Sequence, residues 1–260
     1  MTSEKIAPEG ILKLKFKTDA GLGSRANIGM IVLSSDQTLE LEFRTLLDFE
    51  GVALYHARIP NEMEITEGTL AQMEAELPIT ASLLPASFNF DVIGYGCTSG
   101  STVIGESRVT NAIRTVHPGI LVTNPLTACK AALSALSLKR IAFLTPYKPA
   151  ITKAMRDNLM EEGFEIPVTA SFYESDDFVV GRITSDSILE SVKNIGARDD
   201  CDGVFVSCTN LRAASVIAPA EEYLEKPVTS SNHALAWHML RLAGISDSPV
   251  NLGRLFQQKL

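Results

Sequence analysis

The chain has 260 residues, 45% of them apolar and 21% charged, which is enough to bury a sizeable core without disulfides or metals. Its formal net charge is −8 and no basic run is denser than LKLKFK at 12–17, so neither nucleic acid nor an anionic membrane surface is expected as a partner. No stretch approaches the roughly 18 continuous apolar residues of a membrane helix.

The N-terminus, MTSEKIAPEG, lacks the basic, apolar and small-residue order of an export signal. The four cysteines include no close CxxC pair and form no disulfide framework. A cytoplasmic chain with reduced thiols is therefore expected. The four histidines, none in HxH or HExxH spacing, give no zinc signature.

Short β-branched runs alternate with longer amphipathic ones along the chain. GLG at 21–23 precedes the first strand instead of following it, so it fails the structural condition of a dinucleotide loop. The first strand is expected over 28–33 (IGMIVL). SSD at 34–36 closes it with a corner rich in oxygens and N–H groups, which reads equally as a helix cap or a binding loop. Helix 38–49, strand 52–59, helix 66–83 and strand 90–96 follow, running into GYGCTSGS at 94–101. Next come helix 101–116, strand 120–124, and helix 126–138, opened by Asn124 and a proline at the first helical position. Strand 140–146, helix 149–162 and strand 166–172 lead to segment 173–183, the least regular connection and a candidate active-site loop. Helix 184–196, strand 203–208, helix 211–224, strand 226–231 and helix 232–243 complete the pattern, the last with Asn232 as its expected N-cap.

Continuous apolar strands alternating with helices predict a doubly wound α/β protein with parallel sheets. FDVIGYGCTSGS (90–101) and CDGVFVSCTNLR (201–212) share one layout: an acidic residue, an apolar strand, then Cys-Thr followed by Ser or Asn at its C-terminal end. The expectation is two pseudo-symmetric, Rossmann-like (flavodoxin-like) halves with an active-site cleft between them. Residues 1–118 plus 231–260 would carry Cys97, and residues 119–230 would carry Cys208. Ligands in open α/β sheets sit outside the carboxyl ends of strands, so both thiols would point into that cleft.

A lone cysteine is usually a small buried hydrophobe, and Cys129 and Cys201 are read that way. Cys97, followed by Thr98, Ser99 and Gly100, and Cys208, followed by Thr209 and Asn210, stand beside free backbone N–H groups that lower a thiol pKa and bind carboxylate oxygens. Paired thiols from two equivalent halves suit proton transfer on opposite faces of one carbon. A thiolate adding to a double bond is the covalent variant. Metal binding by the two thiols finds no third or fourth ligand. His56, His117, His233 and His238 are scattered; His233 falls near the cleft in the sequence order, but a capping or packing role is expected of it. Tyr147, in TPYKP, reads equally as a surface aromatic or an active-site phenol.

IGMIVLSSDQTLE (28–40), YGCTSGSTVIGE (95–106), RIAFLTPY (140–147), FVSCTNLRA (205–213) and KPVTSSNHALAWHMLRLAG (226–244) resemble the aspartate/glutamate racemase superfamily, in its maleate isomerase and arylmalonate decarboxylase branch. The wording CTSGSTVIGE, SCTNLRA and SNHALAW is most similar to ectoine-utilisation EutA-type proteins. The resemblance implies Cys97 and Cys208 as the acid/base or nucleophile pair, and Thr98, Ser99, Thr209 and Tyr147 as holders of a substrate carboxylate. It also implies work without metal, pyridoxal phosphate or nicotinamide, on a small carboxylate, in a homodimer or larger homo-oligomer.

Two departures matter. Maleate isomerases usually carry Pro-Ser-Ser-Asn at the end of the first strand, where this chain has Leu33, Ser34, Ser35 and Asp36. They tend to have an asparagine where this chain has Asp176 and Asp177. An aspartate repels a second substrate carboxylate, so Asp36, with Asp177, is expected to meet an ammonium or amide group. Decarboxylases of the branch keep only the second cysteine, so two thiols point to racemisation or isomerisation, of an amino acid or N-acyl derivative in ectoine breakdown. The alternatives are an arylmalonate-type decarboxylase, a maleate cis-trans isomerase, and a non-catalytic sensor of small carboxylates.

Overall fold

The computed structural model describes residues 10–260. All eight expected strands form: β1 (Ala26–Leu33), β2 (Val52–Ile59), β3 (Val92–Gly96), β4 (Leu121–Thr123), β5 (Arg140–Thr145), β6 (Glu165–Ser171), β7 (Gly203–Val206) and β8 (Val228–Ser230). They make two four-stranded sheets, ordered β2-β1-β3-β4 and β6-β5-β7-β8, with every pairing parallel. The two orders are the same order. Each half thus repeats one topology, with its switch point between the first and third strands of the half, where the loops leave on opposite faces and open a crevice.

Helices cover both faces of each sheet: α1 (Leu39–Leu46), α2 (Glu67–Ala81), α3 (Thr98–Ile104), α4 (Glu106–Arg114) and α5 (Pro125–Ala135), then α6 (Pro149–Glu161), α7 (Asp177–Val180), α8 (Ser185–Gly196), α9 (Ala214–Leu224) and α10 (Ser231–Leu242). No helix among the described residues is long and apolar enough to cross a membrane. The central strand β1 is apolar from Ile28 to Leu33 because both of its faces are buried there. Ile31 and Leu33 join Ile93 and Tyr95 in a core that continues through Phe143 and Phe205 of the second half. Ile28, Met30 and Val32 pack with Trp237 and Leu240 of α10 in a second core. Each fully buried side chain of this kind contributes about 1.5–3 kcal/mol.

Three expectations are corrected. The helix foreseen over 101–116 begins at Thr98 and breaks into α3 and α4 at Gly105, whose φ of 97° is favourable only to glycine. Ser230, not Asn232, caps α10, its side chain accepting the N–H of His233, while Asn232 sits in the first turn. The junction at 118/119 falls ahead of β4, and β4 pairs with β3 in the first sheet. The chain crosses to the second sheet only after α5, whose N-cap Asn124 accepts from both Leu126 and Thr127 at 3.0 Å. Helix α10 returns from the second sheet to pack on α5, α1 and β3.

Candidate active site

The ends of β1, β3, β5 and β7, the two switch points, meet at one narrow cavity of about 20 Å³. Its lining includes Cys97, Ser99, Tyr147, Asp177, Cys208 and Thr209, all foreseen from the sequence. Cys97 is the N-cap of α3. Its Sγ accepts the Gly100 N–H at 3.2 Å and lies 3.6 Å from Ser99 Oγ. Cys208 Sγ accepts the Asn210 N–H at 3.3 Å. Its φ of 151° lies in a region that side-chain-bearing residues rarely adopt, a strain of the kind concentrated at functional sites.

The motifs are laced to each other. Thr98 Oγ1 bonds Ser231 Oγ at 2.8 Å, and Ser231 Oγ accepts the Cys208 N–H at 3.0 Å. Thr209 Oγ1 donates to the Gly96 carbonyl at 3.2 Å. Each Cys-Thr motif is thus held by the other half of the chain.

Not every expected residue faces the cavity. Thr98, Ser35, Asp36 and Asn210 are absent from its lining and hold the wall from behind. Asp36 Oδ1 accepts the N–H groups of Thr38 and Leu39 at 2.8 and 2.7 Å, so Asp36 spends this oxygen on the opening turn of α1, ahead of its N-cap Thr38. Its Oδ2 is buried without a partner. Asn210 bridges the Gln37 N–H and the Asp177 carbonyl. Ser35 Oγ donates to Asp177 and accepts from Asn61 Nδ2 at 2.7 Å. Asn61 and Met73 line the cavity and Tyr95 stands just behind Cys97; none of the three was singled out from the sequence.

The outer wall is a clasp between pseudo-equivalent loops, one after β2 and one after β6. Ile65 N–H donates to the Ser175 carbonyl at 2.9 Å, and Asp177 N–H to the Met63 carbonyl at 3.0 Å. Segment 173–183 therefore does reach the cavity, through Asp177.

The electrostatics depart from expectation. The N–H groups at the strand ends do favour the thiolates, but burial outweighs them. Burial pushes the Cys97 thiol up to about 11, against the lowering effect of Ser99 and Gly100. Burial, then the nearby Asp177 carboxylate, also raises Cys208, opposed by the Tyr147 hydroxyl. Burial raises Asp36 to about 7 and raises Asp177. Burial therefore favours the thiol over the thiolate form at both cysteines.

The remaining candidates serve packing. Cys129 is buried in α5, and Cys201 sits beside Asp200. His117 bonds the Ala81 carbonyl, and His238 bonds Thr123 Oγ1. His233 is held between Thr229 Oγ1 and the Leu252 carbonyl, away from the cavity lining.

The sequence profile of the arylmalonate decarboxylase family matches residues 107–256, more than half of the chain. The chain belongs to the arylmalonate decarboxylase family. Over 242 residues it is 26% identical to the maleate isomerase of Alcaligenes faecalis, covering 88% of this chain and 95% of that one. Over 142 residues it is 29% identical to the arylmalonate decarboxylase of Bordetella bronchiseptica, covering 54% of this chain and 59% of that one. A variant of the Nocardia farcinica maleate cis-trans isomerase, solved with a covalently bound succinylcysteine intermediate, superposes with a TM-score of 0.79 at 26% identity, covering 89% of this chain and 98% of that one. This member of the arylmalonate decarboxylase family thus shares its two-sheet architecture with an isomerase whose cysteine chemistry is covalent.

Proposed function

We propose that this chain racemises or isomerises a small carboxylic acid without a cofactor, using Cys97 and Cys208 on opposite faces of the substrate. The observation that carries the reading is that both thiols line one cavity from pseudo-equivalent strand ends. One sulfur, as thiolate, takes the proton from the carbon beside the carboxylate while the other, as thiol, gives its own proton to the opposite face. The two sulfurs have then exchanged roles and the carbon has inverted. With an unsaturated acid the thiolate adds to one alkene carbon and the opposite thiol protonates the other. Rotation about the new single bond and reversal of both steps then give the isomer. The succinylcysteine in the Nocardia relative supports this covalent variant. Ser99, Tyr147 and Thr209 would hold the carboxylate, with the backbone N–H of Thr98. The motif wording shared with ectoine-utilisation proteins favours an amino acid or N-acyl amino acid from that breakdown.

The test is α-proton exchange in deuterated water, followed by NMR, over amino acids, N-acyl amino acids, maleate and arylmalonates. Both enantiomers of one substrate should exchange. Cys97→Ser and Cys208→Ser should each lose racemisation by about 10²- to 10⁴-fold while each still exchanges one enantiomer. Racemisation that survives in either variant would overturn the two-sided mechanism. Decarboxylation of a malonate-type acid is the second reading, favoured by the family match over residues 107–256. Carbon dioxide release from an arylmalonate that needs Cys208 but not Cys97 would establish it in place of the first.

A further inference from the structure

We propose that Tyr95 is a positioning residue for Cys97: its hydroxyl is a donor held in reserve, which turns from a thioether to the Cys97 sulfur when that thiol ionises. The proposal rests on reading Cys97 as a reacting thiol and makes no use of the substrate. Tyr95 lies on β3 two residues before Cys97, so both side chains leave the strand on the same face. It is 0% exposed.

A buried tyrosine hydroxyl ordinarily finds an oxygen or nitrogen acceptor. Here the hydroxyl donates to Met73 Sδ at 3.6 Å, a weak acceptor. Cys97 Sγ is a near neighbour that the hydroxyl does not bond here: the two flank one point, the Cβ position of Gly100. Gly100 makes this triangle of hydroxyl, thiol and thioether possible. A Cβ there would stand 2.5 Å from Tyr95 Oη, 2.9 Å from Cys97 Sγ and 3.0 Å from Met73 Cε. Gly100, three residues after Cys97, thus lets a buried phenol approach the sulfur.

The energetics favour a switch. Leaving a thioether forfeits little, whereas a hydrogen bond to a thiolate is charge-assisted and roughly twice as strong as a neutral one. The titratable groups facing Cys97 from the second half are Asp177, Tyr147 and Cys208, with Glu62 and Glu64 on the outer wall. The Asp177 carboxylate opposes ionisation of Cys97. Ser99, the Gly100 N–H and Tyr95 favour it. Of these three, Tyr95 alone comes from outside α3.

Iodoacetamide alkylation of the full chain across pH, read by mass spectrometry, tests this without any turnover. The ratio of Cys97 to Cys208 labelling cancels the opening of the cavity, which both thiols share. In Tyr95→Phe the ratio should fall about ten- to a hundredfold, which is a rise of about one to two pH units in the Cys97 profile. In Met73→Leu, with the competing sulfur removed, the ratio should rise. A ratio unchanged in Tyr95→Phe would show that the ring only packs and would overturn the proposal. Should Tyr95→Phe fail to fold, Met73→Leu decides alone: a rise supports the proposal, and no change overturns it. A shifted ratio in a protein that exchanges no substrate proton would leave Tyr95 in place and remove the proposed function.

Discussion

Asp177 lines the cavity with both thiols, Glu62 and Glu64 add carboxylates to the outer wall, and no lysine, arginine or histidine is among the lining residues. The Arg58 guanidinium, at the end of β2, is turned to Glu40 and to the backbone carbonyls of Ser34 and Asp36. A second substrate carboxylate would meet like charge there, whereas an N–H donor would meet an acceptor. Maleamate should therefore bind more tightly than maleate in calorimetry, and Asp177→Asn should shift that ratio toward maleate by about tenfold or more. An unshifted ratio would sink this view of Asp177. The residues that the sequence exposed were those with a chemical signature at a strand end: Cys97, Ser99, Tyr147, Cys208 and Thr209. Thr98, Asp36 and Asn210 carried the same signature but spend their side chains on Ser231, on α1 and on the Asp177 carbonyl. Tyr95 and Met73 went unnoticed because an aromatic on an apolar strand and a methionine on a helix look like core.

Helix α10 is the element that ties the site together. Its first residue, Ser231, meets Thr98 of one motif and the Cys208 N–H of the other, and the next, Asn232, donates to the Thr209 carbonyl and to Glu42. Ser231→Ala would leave a buried N–H at a residue whose backbone is already strained. A loss of about 1–3 kcal/mol in urea unfolding is expected, together with a larger loss of turnover than the stability change explains. Equal activity in Ser231→Ala and wild type would show that the brace is dispensable. Strand and helix identities were readable because each segment's periodicity is a local property. The membership of β4 was not, because its pairing with β3 depends on where the chain turns after the strand, at α5. The helix break at Gly105 was likewise hidden, since a lone glycine in a helical pattern does not announce its φ.

Across the whole molecule, buried acids and buried histidines pull stability in opposite directions. Burial raises Asp36 and Glu42 to about 7, so the folded chain keeps protons that the unfolded chain releases from about pH 4 upward. Their contribution falls as pH rises through that window. His233 and His238 are held down to about 4, so the stability they provide is lost as pH falls below about 6.5. Asp36→Asn removes one side of this opposition. Its stability relative to wild type should climb by up to about 1.4 kcal/mol per pH unit between about pH 4 and 7 in urea unfolding. A constant difference would contradict the assigned burial of that carboxyl. The doubled topology was legible in the two Cys-Thr motifs, but the closure of the cavity was not. A space of about 20 Å³ holds little more than one water molecule, and its outer wall is two backbone hydrogen bonds between equivalent loops. No carboxylic acid diffuses into a standing hole of that size. In the proposed reaction the two loops therefore act as a door: a carboxylic acid larger than this space enters as Ile65 and Asp177 release the Ser175 and Met63 carbonyls.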